Sequence, residues 1–70
     1  MTVIKDCSGT YLRFLDEDYQ VCNTEKTDDF EENSIVTVSY RKIDECKALE
    51  GPVCMLYHEN EGLIKITSIN

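Results

Sequence analysis

The sequence predicts an all-β domain: a small five-stranded barrel, stapled by disulfides, with at most one or two short helical turns. Three observations carry this expectation. The segment SIVTVSYRKI, residues 34–43, alternates apolar and polar side chains with a period of two, the mark of a half-buried strand. Similar short segments recur along the chain with turn-forming residues between them, as in small sandwiches and barrels. Finally, 70 residues with four cysteines and no tryptophan bury too little surface to be robust without a cross-link. Residues 1–70 read as a single domain, with no repeat, low-complexity tract or linker.

The first strand is TVIKD, 2–6, and TYLRFL, 10–15, follows. Ser8-Gly9 lies between them, so they are either two strands or one long strand kinked at Gly9. An acidic turn at 16–18 leads into DYQVCN, with Tyr19 and Val21 on one face. TEKTDDFEEN can form one helical turn capped by Thr24. The strand 34–43 comes next, with Val36, Val38 and Tyr40 facing the core and Thr37, Ser39 and Arg41 facing away. Phe14, Val21, Ile64 and Ile66 are expected to pack near them. DECKALEG can form a short helix started by Asp44 and stopped by Gly51. VCMLYH, 53–58, is apolar and short, hence a strand. HENEG is a turn, with Gly62 suited to positive φ, and LIKITSI, 63–69, is the last strand, antiparallel to 53–58. Counting 2–15 as one strand gives five, with the helix at 44–50 between the third and fourth. That order, and the need to hide strand edges, makes an OB-like barrel the expected closure.

Fourteen acidic residues against seven basic ones give a formal charge of −7. Binding to phosphate backbones relies on clustered Lys and Arg, so nucleic acid and anionic membrane surfaces are excluded as partners. The charge serves solubility first and a cationic partner second. No apolar run is long enough to span a bilayer. Met1 stands directly before a strand-like segment, which reads as an expression start on a trimmed mature domain. On that expectation the native chain begins upstream and an export signal has been removed.

The cysteines and the single histidine are spaced C-x14-C-x23-C-x7-C-x3-H. No gap matches a zinc knuckle or a C-x-x-C redox motif. On a strand, Cys54 and His58 would stand about 13 Å apart, too far to share a metal. No metal and no cofactor are therefore expected, and Cys7, Cys22, Cys46 and Cys54 are read as disulfide cysteines. The preferred pairing is Cys7–Cys22 with Cys46–Cys54; the alternative is Cys7–Cys54 with Cys22–Cys46. His58 could serve as a base with Ser8 or Ser39, but no nucleophile turn is present, so no catalytic residue is assigned. It reads as a partly exposed residue at a strand end. Glu59 and Glu61 read as a solvated turn, and the acidic stretch 25–32 lacks the glycine and spacing of a calcium loop. Tyr11, Tyr19, Tyr40 and Tyr57, with His58, are the candidate ligand-binding platform.

The segments KDCSGTYLRF, DYQVCN, VTVSYRKIDEC and GPVCMLYHENEGLIKI, covering Lys5 to Ile66, resemble small exported, often lipoprotein-derived domains of Bacteroidetes-type bacteria. The resemblance implies an OB-like barrel, oxidised cysteines and a location in the bacterial cell envelope (periplasm or outer-membrane lipoprotein) or outside the cell. It implies membrane attachment only through a removed N-terminal lipid anchor, and it implies no activity. The functional expectation is a monomeric, non-catalytic binding or protein-interaction module for a protein, small-molecule or glycan ligand. The alternatives are an enzyme-inhibitor-like domain acting through a loop, or a metal-binding domain using Cys46, Cys54 and His58.

Overall fold

A computed structural model describes residues 1–46 and 58–70. Five strands, β1 (Thr2–Asp6), β2 (Gly9–Phe14), β3 (Glu17–Val21), β4 (Val38–Ile43) and β5 (Leu63–Ile69), form one sheet in the order β1-β2-β3-β5-β4. The first three make an antiparallel meander; β5 runs parallel to β3 and antiparallel to β4. The chain is thus all-β, and a 3-10 turn at Thr24–Thr27 is the one helical element among the described residues.

Two turns set the meander. Asp6 pairs with Gly9, so Cys7-Ser8 is a full reversal and β1 and β2 are separate strands, not one kinked strand. Asp6 Oδ1 accepts the Ser8 amide at 2.8 Å, an Asx turn. Gly9 follows at φ 144°, where a side chain would be strained. The second reversal is Leu15-Asp16, not 16–18: Phe14 pairs with Glu17, and the central residues have φ of 52° and 65°. Two positive φ values match the twist of a two-residue hairpin, a conformation usually given to Asn-Gly. Leu15-Asp16 carries no such signal, which is why the sequence pattern points to the acidic residues 16–18 instead.

Parallel pairing of β3 with β5 is short, Gln20 with Leu63 and Val21 with Ile64, but a side chain lengthens it. Asn23 Nδ2 donates to the Ile66 carbonyl at 2.7 Å, and its Oδ1 accepts the Ile66 amide at 2.8 Å. The buried carboxamide replaces one peptide unit of the ladder. Asn23, not Thr24, is also the residue before the 3-10 turn, and it makes no side-chain cap there.

Among the described residues β1 and β4 are the edge strands, and the sheet is not closed. Residues 33–36 nevertheless run along β1. Val3 donates to Ser34 at 2.9 Å and accepts from Asn33 at 2.7 Å, and Val36 donates to Met1 at 2.8 Å. One isolated bridge joins Thr2 to Ile35. The same stretch then exchanges two 3.0 Å hydrogen bonds between Thr37 and Asn70 and enters β4.

The core is Val3, Leu12, Val21, Val36, Ile64 and Ile66, flanked by Met1, Tyr19, Phe30, Val38 and Ile69. Two expected core residues lie outside it. Phe14 is half-exposed because it closes the hairpin opposite Glu17, beyond the last apolar pair. Tyr40 stands opposite Ile66, on the core side, but on an edge strand, where it leans on Tyr19 rather than being roofed. The expected helix at 44–50 is not begun by residues 44–46, and its remainder lies outside the described residues, as does the expected strand over 53–57. β5, its expected antiparallel partner, has β3 and β4 as its sheet neighbours.

Candidate functional site

Because side chains alternate across a strand, residues next to core positions form a second face of the meander. Register places Ile4, Tyr11 and Gln20 in one row there, Asp6 opposite Gly9, and Arg13 opposite Asp18. His58, at the return of the β4–β5 connection, lies on this face. Its ring stacks on Tyr11 with centroids 3.7 Å apart and planes 11° from parallel. Tyr11 is only 2% exposed.

Both ring nitrogens are engaged. Nδ1 lies 2.6 Å from Asp6 Oδ2, and Nε2 bonds Asp18 Oδ2. Each carboxylate is held from its other side. Ser8 donates its hydroxyl to Asp6 Oδ1, and Tyr11 donates to Ser8 Oγ at 2.8 Å. Arg13 grips Asp18 with Nε to Oδ1 at 2.7 Å and Nη2 to Oδ2 at 3.0 Å. An imidazole has two N–H donors only as the cation, so this geometry calls for His58 protonated. The electrostatics agree. The hydrogen bond to Asp18 raises the His58 pKa above its usual value, with Asp6 adding to it and burial opposing. Asp6 is held below the usual carboxylate range first by Ser8, and Asp18 first by Arg13. Asp6, Asp18, Arg13 and His58 then sum to zero charge.

This arrangement is not a nucleophile–base pair. Ser8 is bonded to Asp6 rather than to His58, and no imidazole nitrogen is left to take a proton from it. Ser39 is exposed on β4.

Beside the quartet opens a cleft of about 550 Å³, lined by Arg13, Asp18 and His58 and by the carboxylates of Asp16, Glu17, Glu59 and Glu61. The return segment is braced by Asn60. Its side chain donates to the His58 carbonyl at 3.1 Å and accepts the Gly62 amide at 3.0 Å. Glu61 donates its amide to the Asp18 carbonyl at 2.8 Å, and Gly62 accepts from Gln20 at 2.9 Å.

The cysteines overturn the preferred pairing and bear out the Cys22–Cys46 half of the alternative. Cys22 is bonded to Cys46, with Cα atoms 5.7 Å apart, so neither Cys7–Cys22 nor the local Cys46–Cys54 staple forms. The parallel placement of β3 beside β5, with β4 next to it, brings the end of β3 near the exit of β4, which chain proximity alone does not reveal. Cys7 is disulfide-bonded as well; the expectation for Cys54 lies outside the described residues. Cys46, being oxidised, is no thiolate ligand in this state. Among the described residues no group of three His, Cys, Asp or Glu has the geometry of a metal site.

The tyrosines do not share one surface. Tyr11 is on the outer face under His58. Tyr19 and Tyr40 are on the core side, with ring centroids 6.2 Å apart and Lys42 Nζ 5.9 Å from the Tyr19 ring. Tyr57 lies outside the described residues. Sequence reasoning missed Asp6, Arg13 and Asp18. Arg13 and Asp18 were recoverable: a two-residue turn at 15–16 puts them directly opposite. Comparison with protein-family models, with curated proteins and with solved structures finds no match.

Proposed function

We propose that this chain is a non-catalytic binding or protein-interaction module of an oxidising compartment, the bacterial cell envelope or the extracellular space, built as a monomeric OB-like small barrel. The observation that carries the binding reading is the 550 Å³ cleft walled by Asp16, Glu17, Glu59 and Glu61, while its two cations, Arg13 and His58, are already paired. Such a wall favours a protein or small-molecule ligand, glycans included, that presents a cation, and repels nucleic acid. Engagement of both His58 nitrogens supports the absence of catalysis. The Cys22–Cys46 bond supports an oxidising location. The barrel reading is supported by residues 33–36, which hydrogen-bond to β1 before the same stretch joins β5 through β4.

An inhibitor-like mode is the second reading. It is favoured by Leu15, 79% exposed at the tip of a hairpin held at positive φ, the sort of preformed loop a partner can grip. An isotope-labelled sample titrated with oligolysine, a neutral oligosaccharide and a single-stranded oligonucleotide tests the cleft reading. The cleft reading expects salt-sensitive shifts at Asp16, Glu17, Glu59 and Glu61 with oligolysine and none with the oligonucleotide. Oligonucleotide binding at physiological salt would reverse it.

A further inference from the structure

We infer that His58 is a pH-sensitive latch: as the imidazolium it fastens the return segment 58–62 to the outer face of β1, β2 and β3, and on losing its proton it releases that segment. The inference rests on geometry. A neutral imidazole keeps one N–H, so in either tautomer the other nitrogen would turn its lone pair on a carboxylate oxygen. Neither carboxylate can turn away at low cost, since Ser8 holds Asp6 and Arg13 holds Asp18 from behind.

The charged groups facing the ring are Asp6 of β1, Arg13 of β2 and Asp18 of β3. Asp16, Glu17, Glu59 and Glu61 stand around the adjoining cleft. Tyr11 supplies the stacked ring. All the charged neighbours but Arg13 are acids, so their summed field holds the proton on His58, in accord with its raised pKa. Deprotonation takes the Asp6–His58–Asp18–Arg13 quartet from zero to a net −1 and replaces an attraction by a repulsion. A histidine whose folded pKa is raised stabilises the fold fully below its unfolded pKa, and loses that contribution as pH rises through the folded pKa. The latch is therefore closed while His58 is protonated and Asp6 and Asp18 are ionised, and it opens as pH rises through the raised folded pKa of His58. The outer face, including Tyr11 and the cleft wall, changes with it.

The chain has a single histidine, so one ring resonance reports the titration without assignment ambiguity. The amides of Glu61 and Gln20, which bond Asp18 and Gly62, report whether the segment stays docked. Their hydrogen-exchange protection factors, corrected for intrinsic rates, should fall about tenfold or more across the His58 titration, as loss of one charge-assisted hydrogen bond implies. Protection in the β1–β2 ladder should not change. Asp6→Asn should move the His58 midpoint and the loss of protection to lower pH together. His58→Gln should abolish the step. Protection that stays constant through the titration, or a step that persists in His58→Gln, overturns the latch.

Discussion

Removing the Cys22–Cys46 bond by Cys22→Ser with Cys46→Ser tests whether this small sheet depends on a long-range tie. The bond joins residues 24 apart in sequence. Chain-entropy arithmetic for a loop of that size gives about 3.5 kcal/mol of stabilisation, against about 2.5 kcal/mol for a local Cys46–Cys54 loop. A domain of this length has a total stability of roughly 3.5–10 kcal/mol, so the double variant retains a fraction of it at best. The melting temperature should drop by roughly 15–25 °C. Urea unfolding followed by circular dichroism at 25 °C measures the loss directly, and the denaturant slope should rise because the freed chain exposes more surface. A non-reducing tryptic digest supplies the covalent check. Cleavage after Arg13, Lys26, Lys42 and Lys47 places Cys22 in the peptide 14–26 and Cys46 in 43–47, and these two should run as one linked species. Linkage of either peptide to the one carrying Cys7, or a stability loss below about 1 kcal/mol, would refute the reasoning.

Other substitutions probe the remaining elements. Asn23→Ala strands the buried Ile66 amide and carbonyl and should cost about 2–6 kcal/mol in urea unfolding, at about 1–3 kcal/mol for each unsatisfied group. Asn23→Asp should not rescue it, because a carboxylate would oppose the Ile66 carbonyl. Replacing Leu15-Asp16 by Asn-Gly should stabilise the fold by about 1 kcal/mol, the strain of a left-handed leucine, and a loss instead would mean that Leu15 makes a contact the fold needs. Leu12→Ala should cost about 2–5 kcal/mol, whereas Phe14→Ala should cost less than about 1 kcal/mol; equal costs would return Phe14 to the core. The fold should be most stable between two limits. Asp6 and Asp18, with lowered pKa values, stabilise above their unfolded pKa and fail as pH falls through the folded ones; His58 fails as pH rises through its own. Melting temperatures across pH should fall on both sides, and a flat profile would remove the quartet from the stability account.

The strands were legible because alternation reports burial directly. Val21, Val36, Ile64 and Ile66 were placed in the core correctly on that basis. What alternation does not carry is position along the sheet. Phe14 and Tyr40 have the right parity but stand at a hairpin end and on an edge strand, where the core no longer covers them. Turn chemistry misled where it was atypical: Leu15-Asp16 adopts the conformation of Asn-Gly with neither residue. Sequence proximity favours Cys7–Cys22, whereas Cys22–Cys46, half of the alternative pairing, forms because the two meet through sheet order, not sequence distance. The quartet was least legible of all. Asp6, Arg13 and Asp18 belong to a common acidic and basic background, and only register singles them out.

The β4–β5 connection is fixed at both described ends, and the two fixings differ in kind. At its entrance Cys46 is bonded covalently to the end of β3. At its exit His58 is clasped by Asp6 and Asp18, and Asn60 braces the bend into β5. The first is indifferent to pH and sensitive to reductant; the second is the reverse. A sheet whose apolar core occupies one face would leave the opposite face of its meander to solvent, yet Tyr11 there is almost fully buried with His58 stacked on it. The outer face is therefore built by polar pairing rather than by apolar packing, and polar pairing responds to protonation where methyl groups do not. With the disulfide intact, opening of the histidine clasp stays local, confined by Cys46 on one side and by the β5 ladder on the other. Raising pH through the His58 transition should then loosen residues 58–62 without melting the sheet. Reductant above that transition removes both fixings and should bring global unfolding to a lower temperature than either treatment by itself.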